Sequence, residues 1–346
     1  MDSSGVSRRV LLAGAAAGLV GGVAGCGGSG PAQPAPSAST PPGTGPAGTS
    51  AASAVPSTAP SSAPSATAAR LPATTRWSPS SNDIDPQVKL RAVELVEALG
   101  AWPAGQTGLA AARTRVAALG LAPALAAQAG TLLGAGGQAV LQVLEAQYGG
   151  ILADTASVMV VCRQWTTDPT GAVVPGGTTV DVRLSRATPR WTVTALHPAQ
   201  PGPAAASLPS AAKQVLASSA VTLSPDAAAD IRSGQIHTSA LDALLTLARS
   251  YRIELSVVRS GHPIDVFGTD RPSDHPKGRA FDVWRIDGHA VVDPSTPRSL
   301  VEGFMRAAAA AGSYNVGGPW QLSGGSGNQF FSDNTHHDHV HVGFTD

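Results

Sequence analysis

Two short segments constrain this chain more than any others. Ser273-Asp274-His275-Pro276-Lys277-Gly278-Arg279-Ala280-Phe281-Asp282 carries an imidazole and a carboxylate seven positions apart. His339-Val340-His341, near the C-terminus, carries two imidazoles at i and i+2, which a strand points to one face. A fold that uses both must bring an internal loop beside a C-terminal strand. Together they offer two nitrogen ligands, one oxygen ligand and a spare imidazole. Catalytic zinc takes three protein ligands and keeps an open position, with an acid/base group nearby.

The first segment matches Ser-x-His-x-x-Gly-x-Ala-x-Asp in full, at Ser273, His275, Gly278, Ala280 and Asp282. With the later His-x-His, it resembles the zinc peptidases that cleave peptidoglycan peptides. These are the D-Ala-D-Ala carboxypeptidases, the VanY-like enzymes and the lysostaphin-type endopeptidases, with Hedgehog signalling domains as non-peptidase relatives. The resemblance runs from roughly Leu208 to Asp346. It implies one Zn²⁺ held by His275, Asp282 and His341, with His339 as catalytic base. Some relatives end in Glu-x-x-His with the Glu as base; that Glu is absent here, so the chain resembles the His-x-His branch. Relatives also hold their peptide with an arginine and polar groups near the metal, which singles out Arg259 and Ser273 as substrate-binding residues. An arginine fork suits a carboxylate. For Arg259 the competing reading is a structural ion pair.

The N-terminus is expected to be a leader. Ser7-Arg8-Arg9-Val10-Leu11-Leu12 opens like a twin-arginine signal, and the apolar run after it is too short and glycine-rich for a comfortable span. Val23-Ala24-Gly25-Cys26 resembles a bacterial lipobox, implying that 1–25 is a signal peptide cleaved before a lipidated Cys26. The expected location is the outer face of the cell membrane, with the membrane as partner through the lipid anchor. Residues 26–82 are expected to form a disordered linker, because Pro, Ala, Ser, Thr and Gly cannot bury enough apolar surface to offset chain entropy. A flexible chain of this kind has a mean reach of about 35 Å. Lys+Arg and Asp+Glu balance at 23 each, which gives no electrostatic case for nucleic acid. Cys162 lies in the apolar run Ser157–Cys162 and reads as a small core residue, not a nucleophile.

The pattern from 83 to 204 predicts an accessory α+β domain. Asp85-Pro86 reads as N-cap and first helical residue, followed by Val88, Val93, Val96 and Leu99 at helical spacing. Ala/Leu-rich segments over 109–119 and 122–147 extend the helical part. Strands are expected over 155–166, 178–185 and 191–196, with turns at Pro175-Gly176-Gly177 and Ala187-Thr188-Pro189. Helices followed by an antiparallel meander resemble the NTF2-like accessory domains of exported proteins. This segment shows no catalytic constellation; His197 has no companion, and Trp165 and Trp191 read as core. Pro198–Ala206 is the expected linker.

From 207 to 346 the pattern predicts a second α+β domain around a central antiparallel sheet, which from about Leu208 is expected to fold and bind metal by itself. Helices are expected over 209–216 and 239–250, and a strand over 253–259. Ser299-Leu300-Val301-Glu302 reads as a capping box opening a helix to Ala311. In the final strand, 338–344, His339, His341 and Gly343 share one face, while Val340, Val342 and Phe344 share the core face. His337 is placed beside the metal set. Asp338 orients a histidine unless the strand already begins there. His262, Asp265 and Asp270 receive no role; Trp320 and Phe330 line the cleft or the core.

Two functions follow from the resemblance. One is zinc-dependent hydrolysis of an amide bond in peptidoglycan stem peptides, as carboxypeptidase or endopeptidase. The other is a catalytically silent, zinc-containing lipoprotein that binds cell wall or a partner.

Overall fold

A computed structural model describes residues 70–346. The signal segment, Cys26 and most of the expected linker lie outside the described residues. The part of that linker that is described, 70–82, is not a loose tether. The Thr75 amide donates to Gln142 Oε1 (2.8 Å), Trp77 packs against the first hydrophobic core, and Ser80 Oγ donates to the Val292 carbonyl.

The first lobe begins with α1 (Pro86–Gly100) and α2 (Gly108–Ala118). Pro86 opens α1 as expected, but Asp85 makes no side-chain cap and takes a left-handed conformation. Val88, Ala92, Leu95, Val96 and Leu99 form the buried stripe. Four antiparallel strands follow in sequence order: β1 (Ala139–Ile151), β2 (Thr155–Thr167), β3 (Val173–Ser185) and β4 (Thr192–Pro198).

Two expectations change here. Residues 122–147 are not helical throughout: short 3₁₀ turns at Pro123–Gln128 and Gly130–Leu133 give way to β1. Ala139, Leu141 and Val143 are buried at alternate positions, and that period of two outweighs the helical propensity of Ala and Leu. Pro175-Gly176-Gly177 lies inside β3 and not in a turn. The reversal sits at Asp168–Gly171, where Asp168 Oδ1 accepts from the Thr170 and Ala172 amides. Gly177 is needed in the strand because a Cβ there would lie 2.3 Å from the Cys162 carbonyl. The turn at 187–189 is found between β3 and β4.

The 157–162 run is continuously apolar because both faces of β2 are covered. Val158, Val160 and Cys162 point into the core beneath α1, whereas Met159 and Val161 pack with Val257 of the second lobe.

The second lobe contains α3 (Ser210–Ala217), β5 (Val221–Leu223), α4 (Pro225–Arg232), α5 (Thr238–Leu247), β6 (Ile253–Leu255), β7 (Ala280–Ile286), β8 (His289–Ala290), α6 (Arg298–Ala310), β9 (Asn315–Gly317), β10 (Phe330–Phe331) and β11 (Val340–Gly343). Its sheet runs β10-β9-β11-β7-β6-β5, with β8 on β7. The sheet is mixed, not wholly antiparallel: β5 and β6 are parallel, as are β9 and β10, while the centre is antiparallel. The capping box does not form; Pro297 caps α6, and Glu302 pairs with Arg298. A core of residues such as Leu241, Leu244, Phe281, Val283, Phe304, Val340 and Val342 fills this lobe.

The lobes have separate cores, yet 70–346 belongs to one compact unit. The expected linker is held on both sides. The Ala199 amide donates to Thr179, Pro201 accepts from Arg259, and the Ala205 amide donates to Arg232. Asp226 of α4 accepts from the hydroxyl of Thr178 and the amide of Thr179 in β3.

Cys162 is fully buried, and burial pushes its thiol up to about 12. Iodoacetamide treatment of the native protein, followed by peptide mapping, is therefore expected to leave Cys162 unmodified at neutral pH. Denaturant should make it reactive. Rapid native labelling of Cys162 would contradict its placement in the core.

Candidate metal centre

The register between β7 and β11 assembles the centre. The two strands pair antiparallel with His341 directly opposite Asp282. Phe281 and Val283 on one strand, and Val340 and Val342 on the other, turn into the core, so Asp282 and His341 emerge together on the other face. His275 arrives from the loop before β7. A tight turn returns the chain, with the Gly278 amide donating to the His275 carbonyl at 2.8 Å. Gly278 has φ +70°, and a Cβ there would lie 2.0 Å from the Gln235 carbonyl, so the position requires glycine.

Three donor atoms meet at this point. His275 Nε2, Asp282 Oδ1 and His341 Nδ1 are each 3.1 Å from the other two. A tetrahedral zinc site with bonds of about 2.0–2.1 Å puts its ligand atoms about 3.3 Å apart, so the triangle fits three of four vertices. The protonation pattern fits as well. His275 Nδ1 donates to the Val258 carbonyl at 2.8 Å, which turns Nε2 toward the other two atoms. Burial lowers His341 to about 4, so its ring is neutral at pH 7. Burial alone would raise Asp282, but the imidazoles of His275, His339 and His341 around it hold its carboxyl well below the usual range. Two imidazole nitrogens and a carboxylate oxygen facing one another this closely make a triangle suited to a cation.

His262 also reaches the centre, although no spacing in the chain pointed to it. His262, His275 and Asp282 form a group whose ligand atoms lie within 4.8 Å of one another, and such a group could hold a metal ion. The His341 set is tighter. The His262 ring is stacked on His275, with centroids 4.0 Å apart and planes 14° apart, so the ring lone pairs run side by side instead of converging. His262 Nδ1 lies 2.8 Å from the Pro263 carbonyl. His341 Nδ1 thus completes the tighter triangle, and His262 lines the cleft beside it.

His339 stands beside the triangle, its Nε2 3.7 Å from Asp282 Oδ1. Its Nδ1 donates to Asp338 Oδ1 at 2.6 Å, which turns Nε2 toward the centre. Asp338 can do this because it lies outside the strand, at the end of the 3₁₀ turn Thr335–His337. Burial disfavours a charge on His339, yet the carboxylates of Asp282 and Asp338 outweigh it and raise the pKa. Asp338 is held down at about 2: burial opposes its charge, but Lys89 and His339 compensate. His336 pairs with exposed Asp333 at the cleft rim, while His337 makes no contact that ties it to the metal set.

The first lobe enters the site directly, beside the motif segment that was expected to fold and bind metal by itself. Lys89 Nζ from α1 pairs with Asp338 Oδ2 at 2.6 Å and also with Asp83. The Tyr148 amide donates to Asp338 Oδ2, and Gln147 Nε2 donates to Asp282 Oδ2 at 2.8 Å. A cleft of about 430 Å³ opens over the histidines. Tyr148, Gly149, Ile151 and Leu152 form its first-lobe wall; Phe267, Arg271, Ser273, Phe331 and His336 face them.

Ser273 lines this cleft. Arg259 does not. Its guanidinium donates to the Pro201 carbonyl at 2.6 Å and pairs with buried Asp230, away from the residues lining the cleft. Phe330 belongs to the core, and Trp320 packs against it under Arg298. Comparison of the chain with protein-family models, curated proteins and solved structures finds no match.

Arg259→Ala should lower stability by about 1–3 kcal/mol, since Asp230 keeps its backbone donors but loses its cation. Denaturant titration of the folded variant measures this. Unchanged stability together with weakened substrate binding would restore Arg259 to the site.

Proposed function

We propose that this protein is a zinc-dependent peptidase that hydrolyses an amide bond in peptidoglycan peptides. The observation that carries the reading is the convergence of His275 Nε2, Asp282 Oδ1 and His341 Nδ1 at 3.1 Å, with a fourth, oriented imidazole at 3.7 Å, beneath a cleft that His339 and His341 line. The peptidoglycan substrate rests on the sequence resemblance alone.

When bound, a zinc ion held by these three residues would supply Lewis acidity toward a carbonyl and lower the pKa of a water. His339 Nε2 would take the proton from the attacking water and return it to the leaving amine. Asp338 fixes the ring for both steps and stabilises the imidazolium between them. Arg271 is the arginine that lines the cleft, so the peptide-carboxylate role expected of Arg259 passes to it. Ser273 offers its hydroxyl from the same wall. The first lobe, with the helix-then-meander order of NTF2-like domains, forms the opposite wall.

The leader and anchor belong to the same proposal. The protein would be exported and held at the outer membrane face through Cys26. Cys26→Ser should release it to the medium or leave it unprocessed; fractionation identical to wild type would rule the anchor out.

Digestion of purified muropeptides, with mass-spectrometric identification of the cut bond, tests the function. The two strand histidines should separate. His341→Ala should strip or greatly weaken zinc binding. His339→Ala should keep zinc and lose about 10²- to 10⁴-fold in rate. Loss of zinc from His339→Ala with retention in His341→Ala would reverse the roles. Stoichiometric zinc without cleavage of any muropeptide would favour the silent binding module.

A further inference from the structure

Gln147 lies in β1, in the lobe that carries none of the metal-binding motif, and is completely buried. Its amide meets Asp282 Oδ2 at 2.8 Å, while Asp282 Oδ1 faces His275 and His341. A carboxylate oxygen accepts, so the amide nitrogen Nε2 is the atom that faces it. One oxygen of the carboxylate is thus tied to the first lobe and the other is left for the metal. Residue 147 is placed by the strand itself: the next residue, Tyr148, donates its amide to Asp338, and its hydroxyl donates to the Ile84 carbonyl at 2.7 Å. The amide of Ile151 donates to Thr335 Oγ1. Strand β1 is therefore pinned to the second lobe by two backbone donors, with the Tyr148 ring anchored in its own lobe, and Gln147 has little freedom to leave Asp282.

We propose that Gln147 is a positioning residue for the ligand Asp282, so that the metal affinity of the second lobe is set by the first. The proposal rests on the reading that His275, Asp282 and His341 hold zinc. Without the amide donor, Asp282 can rotate and present either oxygen, or both, to the ion. Partners of this kind contribute about 10- to 100-fold to metal affinity. No residue of the Ser273–Asp282 segment or of His339–His341 does this job, which gives the first lobe a chemical role beyond supporting the fold.

The experiment uses the full chain, freed of metal with a chelator, then titrated with zinc against a chromophoric competitor. Gln147→Met keeps the side-chain length and removes the donor. Gln142→Met makes the same change on the same strand, at a residue bonded to Thr75 instead of to the centre. Wild type and Gln142→Met should bind one zinc with equal affinity, and Gln147→Met should bind about 10- to 100-fold more weakly. With Co²⁺ in place of zinc, the visible spectrum should change for Gln147→Met and not for Gln142→Met, a difference that loss of packing alone would not produce. Should Gln147→Met fail to fold, Gln147→Leu is read in the same way. Equal affinity and an unchanged cobalt spectrum in a folded Gln147 variant would overturn the inference and leave the metal site standing. Failure of wild type to bind one zinc would instead remove the reading beneath it.

Discussion

The structure depends on one buried ion pair, Lys89 with Asp338. The Lys89 side chain is fully enclosed, between Asp83 and Asp338. Burial opposes its charge, but the two carboxylates outweigh that and raise its pKa. Removing one partner from such a pair costs about 3–5 kcal/mol, because the other charge is left without compensation. Glu145 is close enough to matter as well: burial pushes its carboxyl up to about 7, and Lys89 pulls in the other direction. Raised that far, Glu145 carries less charge than an ordinary carboxylate, which eases the crowding of acids around one ammonium.

This pair couples folding to the site. Asp338 uses Oδ2 for Lys89 and for the Tyr148 amide, and Oδ1 for His339. The same carboxylate that docks α1 and β1 against the C-terminal strand also turns His339 toward Asp282. Gln147 repeats the arrangement one residue along β1, at Asp282. Each lobe has its own core, but the chemical centre lies where they meet and draws polar groups from both.

The second-lobe half of the centre was legible in the sequence because its rules are local. Alternation of His339 and His341 with Val340, Val342 and Phe344 fixed the strand face, and Gly278 marked the turn that carries His275. Other parts obeyed rules that one chain does not display. Lys89 and Gln147 are isolated polar residues in elements whose pattern otherwise reports only burial; the pairing across the lobes gives them meaning. Residues 139–147 look helical by composition, because Ala and Leu serve either structure until a neighbouring strand imposes a period of two. Arg259 and Arg271 are equally good arginines in sequence. Buried Asp230 captures the first, and the second is left in the cleft. His262 had no spacing that linked it to the motif, and only the fold stacks it on His275.

In the proposed function, β7, β11 and the loop before β7 make one zinc site from His275, Asp282 and His341. Anomalous diffraction at the zinc edge, from crystals of the protein purified without chelator, tests it most directly. The account predicts a single peak within about 2.0–2.1 Å of His275 Nε2, Asp282 Oδ1 and His341 Nδ1, with His339 close by but not bound. A peak coordinated by His262 in place of His341, or by His339, would contradict it.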